Sequence, residues 1–207
     1  MAKFKSASGV SIGIKKTIET FHQGNQLIDK LKPGAFTIKI ANTLEEREAV
    51  FRLSYQVYLA KSFIGENPQQ LLIRNYDYID DTVILMVQDK DKNIVGTVTL
   101  VFEDSTSLPA EKIYGNELRI LRKNNFRIAE ISRLVIDPNY RNAKEILVLL
   151  FNYLYIYTYF VKSYNCLTIE VNPRHIKYYE SLLNFKRIGS KKPCPNVLNA
   201  PAILMYN

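Results

Sequence analysis

The chain has 207 residues, 47% of them hydrophobic and 23% charged, with a formal charge of +8. That length and balance suit one globular domain with a sizeable core and exclude wholesale disorder. Two cysteines, two histidines without ligand spacing and no secretory apolar run predict a reducing, cytoplasmic setting with neither a disulfide framework nor a metal centre.

Residues 1–11 are small and polar. Ile14, Ile18, Phe21, Ile28 and Leu31 recur at helical spacing until Pro33-Gly34 ends the run. This predicts an N-terminal extension, 1–34, with one amphipathic helix. That helix packs on the domain or makes peripheral membrane contact, and mixed charge on its polar face favours packing. A domain follows over 35–207.

Phe36 to Ala41 alternates as a strand. Asn42-Thr43 caps a helix to about Ser62, with Thr43 and Glu46 spaced as a capping box. Strands are expected at Thr82–Gln88 and Ile94–Phe102, joined by a polar turn, then a short helix at about 110–123 and a strand at 127–137. Lys144–Lys162 is apolar on nearly every side and reads as a buried helix, too short and too rich in Tyr and Asn to span a membrane. Strands at Leu167–Val171, Phe185–Gly189 and Ala202–Tyr206 and a helix at Pro173–Leu183 complete the chain. The order β-α-β-β-α-β-α-β-α-β-β is of the α/β (α+β) class, a central mixed twisted sheet flanked by helices.

The strand Ala129-Glu-Ile-Ser-Arg-Leu-Val-Ile-Asp137 carries two opposite charges through an apolar layer. Burying a charge is costly unless it is paired or used. In strict alternation Glu130 and Arg133 point to opposite faces, so they share a site only if a bulge intervenes. Taken alone, the pattern fits a structural ion pair as well as a site. Positive charge predicts an acidic partner. The lysines and arginines are scattered in small groups rather than striped along a helix, so a nucleic-acid-reading surface is not expected.

Several segments resemble one family. The element order is similar to the GNAT acyltransferase fold, and Glu130-Ile-Ser-Arg133 resembles the E-x-S-R strand of acyl-homoserine-lactone (autoinducer) synthases. Ser107-Leu-Pro-Ala-Glu-Lys-Ile-Tyr114, Glu117-Leu118 and Leu121-Arg122 resemble the signature of long-chain N-acyl amino acid synthases. Asn172-Pro-Arg-His175, Tyr178-Tyr179, Phe185, Gly189 and Asn199-Ala-Pro-Ala202 fit the same family. Two departures stand out. Lys144 and Ile146 occupy places where acetyl-CoA enzymes of this fold have phosphate-binding glycines, which favours acyl carrier protein over a nucleotide-bearing donor. Thr99 replaces an arginine of the autoinducer synthases, which weighs against lactone formation.

The resemblance implies transfer of a long fatty acyl group from the phosphopantetheine of acyl carrier protein, or from acyl-CoA, to the α-amine of an amino acid, with tyrosine or another apolar residue preferred. No tightly bound cofactor is expected. An acetyl-CoA-dependent N-acetyltransferase and a non-catalytic module that binds lipid or carrier protein are the alternatives. The reaction needs a base, oxyanion donors and an acid for the leaving thiolate. Glu130 is the candidate base, its pKa raised by burial and opposed by Arg133. Arg133 is a catalytic candidate that could instead hold the acceptor carboxylate. Backbone N–H groups near a bulge at Ile131–Arg133, with Ile131, Ser132 and Leu134, are candidate oxyanion donors. Tyr179, or Tyr178, is the candidate acid, and His175 is a second base or a helix cap. Leu147, Leu150, Phe151 and Leu154 supply an acyl slot or plain core. Arg52, Asp77, Asp80 and Asp81 lie where autoinducer synthases have acceptor-side charges. Arg119, Arg122, Lys123 and Lys144 form the expected carrier-protein docking patch.

Overall fold

A computed structural model describes residues 36–140 and 143–207; the expected extension at 1–34 lies outside the described residues. The strands are β1 (Phe36–Ile40), β2 (Val83–Asp89), β3 (Ile94–Phe102), β4 (Ile128–Ile136), β5 (Cys166–Val171), β6 (Lys186–Arg187), β7 (Lys192–Cys194) and β8 (Ala200–Tyr206). The α-helices are α1 (Leu44–Ala60), α2 (Glu111–Lys123), α3 (Ala143–Tyr155) and α4 (Ile176–Leu183). The eight-stranded sheet runs β1-β2-β3-β4-β5-β8-β6, with β7 on β8. β4 and β5 are parallel, and their neighbours are antiparallel.

Side chains alternate along a strand, so each central strand serves two layers. Leu85, Leu100, Ala129, Ile131 and Ile169 pack with Leu150 and Phe151 of α3 and Leu183 of α4. On the opposite face, Ile84 and Met86 meet Val50 and Phe51 of α1. Val101, Ile128 and Leu204 meet Tyr114, Leu118 and Leu121 of α2 on that side. Burial on both faces explains why β2 and β3 read as nearly continuous apolar runs.

Thr43 and Glu46 form the expected capping box on α1. Three other expectations are corrected. The helix expected over Lys144–Lys162 is α-helical only to Tyr155 and widens into a π-turn, Ile156–Val161, where Phe160 and Val161 are exposed. The strand expected at Phe185–Gly189 shrinks to β6. Strand β7 is the addition: a three-residue strand with Pro193 inside gives almost no periodic signal, and pairs only at the margin of the sheet. Cys194, expected in a loop, ends β7 and is buried.

Several motif residues turn out to hold the framework together. Tyr114 is wholly buried, and its hydroxyl donates to the carbonyls of Ala202 (2.8 Å) and Ser190 (3.1 Å). Gly189 lies against that ring, where a Cβ would come within 2.5 Å of the Tyr114 edge. Gly96 lets α3 approach β3 in the same way, since a Cβ there would be 2.6 Å from Ile146 Cγ2. Ile146 is therefore a core residue packed on the sheet, which is its reason for standing where glycine was looked for.

Candidate active site

Parallel pairing of β4 with β5 stops at Ile131↔Ile169. Beyond it the strands part around a cavity of about 910 Å³, whose wall includes Glu130, Arg133, Leu147, Glu170, Tyr178 and Tyr179. A bulge shapes its β4 side. Thr99 pairs with Ser132 and Thr97 with Val135, so β4 spends three residues where β3 spends two. The extra residue enters at Arg133–Leu134, one step later than expected. Arg133 takes φ of 46°, a left-handed conformation that a side-chain-bearing residue holds only under constraint. The bulge turns Arg133 to the face of Glu130, towards α1 and α2.

The two charges share that face without touching. Both Arg133 and Asp77 are buried. Arg133 Nη1 donates to Asp77 Oδ2 (2.6 Å) and the Leu72 carbonyl (2.8 Å), and Nη2 donates to Thr99 Oγ1 (2.9 Å) and to Asp77 Oδ1. Its guanidinium carbon stands 5.0 Å from the Phe51 ring centroid and 5.4 Å from that of Tyr76. Only Nε lacks a partner. Arg133 does form a structural ion pair, but with Asp77 and not with Glu130, and both of its Nη groups are spent there and not on an acceptor carboxylate. Thr99, standing where the autoinducer synthases have arginine, serves that pair as a hydrogen-bond acceptor.

Glu130 is 2% exposed and accepts the Ala110 N–H at 2.9 Å. Among the described residues it joins no ion pair. Burial lifts its pKa well above the usual carboxylate range; Glu170 and Glu111 add to the rise and the Ala110 N–H works against it. Arg133, expected to oppose this rise, is instead neutralised by Asp77.

Glu170 was not foreseen. It lies two residues past Thr168, the β5 partner of Glu130, and so projects to the same face. Burial raises its pKa, the adjacent Cys194 thiol lowers it, and Oε1 has no partner. The signal was present in Cys-Leu-Thr-Ile-Glu-Val, a charge inside an apolar strand like that of Glu130.

Tyr179 is buried, with its ring centroid 5.8 Å from that of Tyr178. Burial pushes its hydroxyl pKa up, and Tyr178 and Tyr58 push it further. His175 occupies the N-cap position of α4 without a capping side-chain bond, and its Nε2 accepts from Arg174 Nε at 3.0 Å. Burial lowers its pKa, as do Arg174 and Lys61. Ile131, Ser132 and Leu134 line the cavity, and Ser132 Oγ lies 2.9 Å from the Tyr76 hydroxyl.

Other candidates are placed elsewhere. Leu147 reaches the cavity, whereas Leu150, Phe151 and Leu154 are interior core under the sheet. Arg52 pairs with Glu48 on the outer face of α1, and Asp80 is exposed. Asp81 binds Ser105 (2.7 Å) and Lys162. Arg122 is divided between Glu103 (2.7 Å) and Glu111 (2.8 Å), and Arg119 binds Asn116 (2.9 Å). Lys123 and Lys144 are exposed. The cations that do line the cavity besides Arg133 are Lys61, Arg74, Lys112 and Arg174, which sequence spacing did not single out. No cluster able to hold a metal ion occurs among the described residues, and no helix among them is long and apolar enough to cross a membrane.

A mixed sheet whose central parallel pair comes apart is the architecture of the GNAT fold. The family described as N-acyl amino acid synthase FeeM matches residues 49–207, and the chain belongs to it. No curated protein matches the sequence. Among solved structures, FeeM, an N-acyl amino acid synthase from uncultured soil microbes, is 24% identical with a TM-score of 0.72, over 83% of this chain and 88% of that one. BjaI, a CoA-dependent acyl-homoserine lactone synthase solved with SAM and isopentyl-CoA, is 15% identical with a TM-score of 0.61, over 83% and 82%. A GNAT-family acetyltransferase from Streptococcus pneumoniae is 14% identical with a TM-score of 0.56, over 83% and 98%.

Proposed function

We propose that the protein is an N-acyl amino acid synthase that transfers a long-chain fatty acyl group from acyl carrier protein to the amine of an amino acid. The observation that carries this reading is Glu130. A buried carboxyl without a cation partner is expensive as structure and is the kind of group that proton transfer uses. It stands in the wall of the cavity that opens where β4 leaves β5.

Ionised Glu130 takes one proton from the acceptor ammonium. The freed nitrogen bonds to the thioester carbonyl carbon, with the negative oxygen met by backbone N–H groups of the Ile131–Leu134 stretch. The C–S bond breaks and the Tyr179 hydroxyl protonates the leaving thiolate. The second nitrogen proton restores Tyr179, and the first leaves from Glu130 to solvent. Membership of the family supports the acceptor class. The carrier-protein donor is supported by Ile146, which is committed to the core and not to a phosphate loop.

Mass spectrometry of lipid extracts from a bacterial host expressing the protein, beside a Glu130→Gln control, tests the reading. New N-acyl amino acids in the wild-type extract that vanish in the control are expected. Their equal abundance in both would remove Glu130 as the base, and their absence from a folded wild type would reject the reaction.

A further inference from the structure

Lys61 stands at the C-cap of α1, and Arg174 and His175 lie in the turn leading into α4. All three are exposed and line the same cavity, at its mouth. They lie close enough that Arg174 depresses the pKa of Lys61, and Arg174 and Lys61 together depress that of His175, in both cases after burial. Among the described residues neither Lys61 nor Arg174 joins an ion pair. Helix α4 begins here without an acidic residue in its first turn, so its dipole adds to the positive field. Arg174, placed before the N-terminus of α4 with no acidic counter-charge, breaks a local rule, and such breaches are expected at functional sites.

The remaining cations of the cavity are less available. Arg133 is spent on Asp77, Arg74 Nη2 donates to the Asn196 carbonyl at 2.8 Å, and Lys112 is the single cation that α2 brings to the cavity lining. Among the described residues, Lys61 and Arg174 are the cations of this cavity that converge without an acidic partner, with His175 beside them accepting from Arg174. The same cavity is lined by the carboxyls of buried Glu130 and half-buried Glu170. It therefore offers anionic groups to an amine and cationic groups to an acid, the complement of an amino acid's two charges.

We infer that Lys61, Arg174 and His175 form an anion site that holds the carboxylate of the amino-acid acceptor and, after transfer, of the N-acyl amino acid product. This rests on the synthase reading above. Binding measured by calorimetry separates the two. The probes are N-decanoyl-tyrosine and its carboxamide, which share the acyl chain and differ in the charge. Wild type should bind the free acid about tenfold or more tightly than the amide, as expected for charge-assisted hydrogen bonds. In the double variant Lys61→Gln/Arg174→Gln that preference should fall to about twofold, with amide affinity unchanged as the control for folding. Equal binding of both probes by wild type, or a preference surviving in the double variant, would overturn the site while leaving the synthase reading in place. Loss of 4′-phosphopantetheine binding in the double variant with the acid preference retained would assign the cations to the donor phosphate instead, and would also overturn it. Failure of wild type to bind either probe would remove the synthase reading and this site with it.

Discussion

Glu130 sits in the cavity wall with one backbone N–H for company and no cation, whereas Arg133, three positions on, has partners for both of its Nη groups. Their different environments suggest different work. Replacing Glu130 by Gln should cut turnover by about 10²- to 10⁴-fold, the usual range for a lost general base. The same change has a sign-definite effect on stability. The folded pKa of Glu130 is raised above its ordinary 4.5, so the folded state holds the proton more tightly than the unfolded chain. The associated stability is fully present below pH of about 4.5 and is lost as pH rises towards the folded value. Melting temperatures measured from pH 4 to 8 should therefore decline more steeply for wild type than for Glu130→Gln; parallel curves would contradict an uncompensated buried carboxyl. At this scale Glu130 was legible as a charge among Ile128, Ile131 and Val135. Glu170 carries the same signal, but nothing in one strand's sequence says which neighbour lies beside it.

The bulge on β4 joins elements that are far apart in the chain. It swings Arg133 across to the turn Asn75–Tyr78, where Asp77 waits, and to Thr99 on β3. Removing one partner of a buried pair typically costs about 3–5 kcal/mol, because the other charge is left stranded. Urea unfolding should accordingly show Asp77→Ala destabilised by that amount. The double variant Asp77→Leu/Arg133→Met should recover much of it, since an apolar pair of similar volume removes both charges. A double variant as unstable as the single one would show that the pair does more than balance charge. The need for a bulge followed from the spacing of Glu130 and Arg133. Its position did not, nor did the partner: the sequence places Asp77 in a polar loop with Asp80 and Asp81, and only the fold buries Asp77 and leaves Asp80 exposed.

Across the whole molecule, the sheet divides its helices so that α3 and α4 cover one face while α1 and α2 cover the other, and the cavity opens where the central parallel pair comes apart. Leu147 is the one proposed slot residue that reaches this space, so Leu147→Phe should shift the product distribution towards shorter acyl chains. Each methylene denied burial is worth about 0.8 kcal/mol, or about fourfold in selectivity, readable by mass spectrometry of competing donors; an unchanged distribution would place the acyl chain elsewhere. The element order apart from β7, the capping box and the charged central strand were legible in the sequence, because periodicity and capping are local properties that adjacent residues set by themselves. So was the kinship of the motifs, although Tyr114, Gly189 and Ala202 prove to be a packing unit. What only the tertiary structure decided was pairing across distance. It gave Arg133 to Asp77, left Glu130 without a cation beside Glu170, sent Leu150 and Phe151 into the core, and gathered Lys61, Arg174 and His175 at one cavity mouth. Those outcomes depend on strand register and on which loops meet, and the free energy of a buried charge is set by such neighbours and not by its position in the chain.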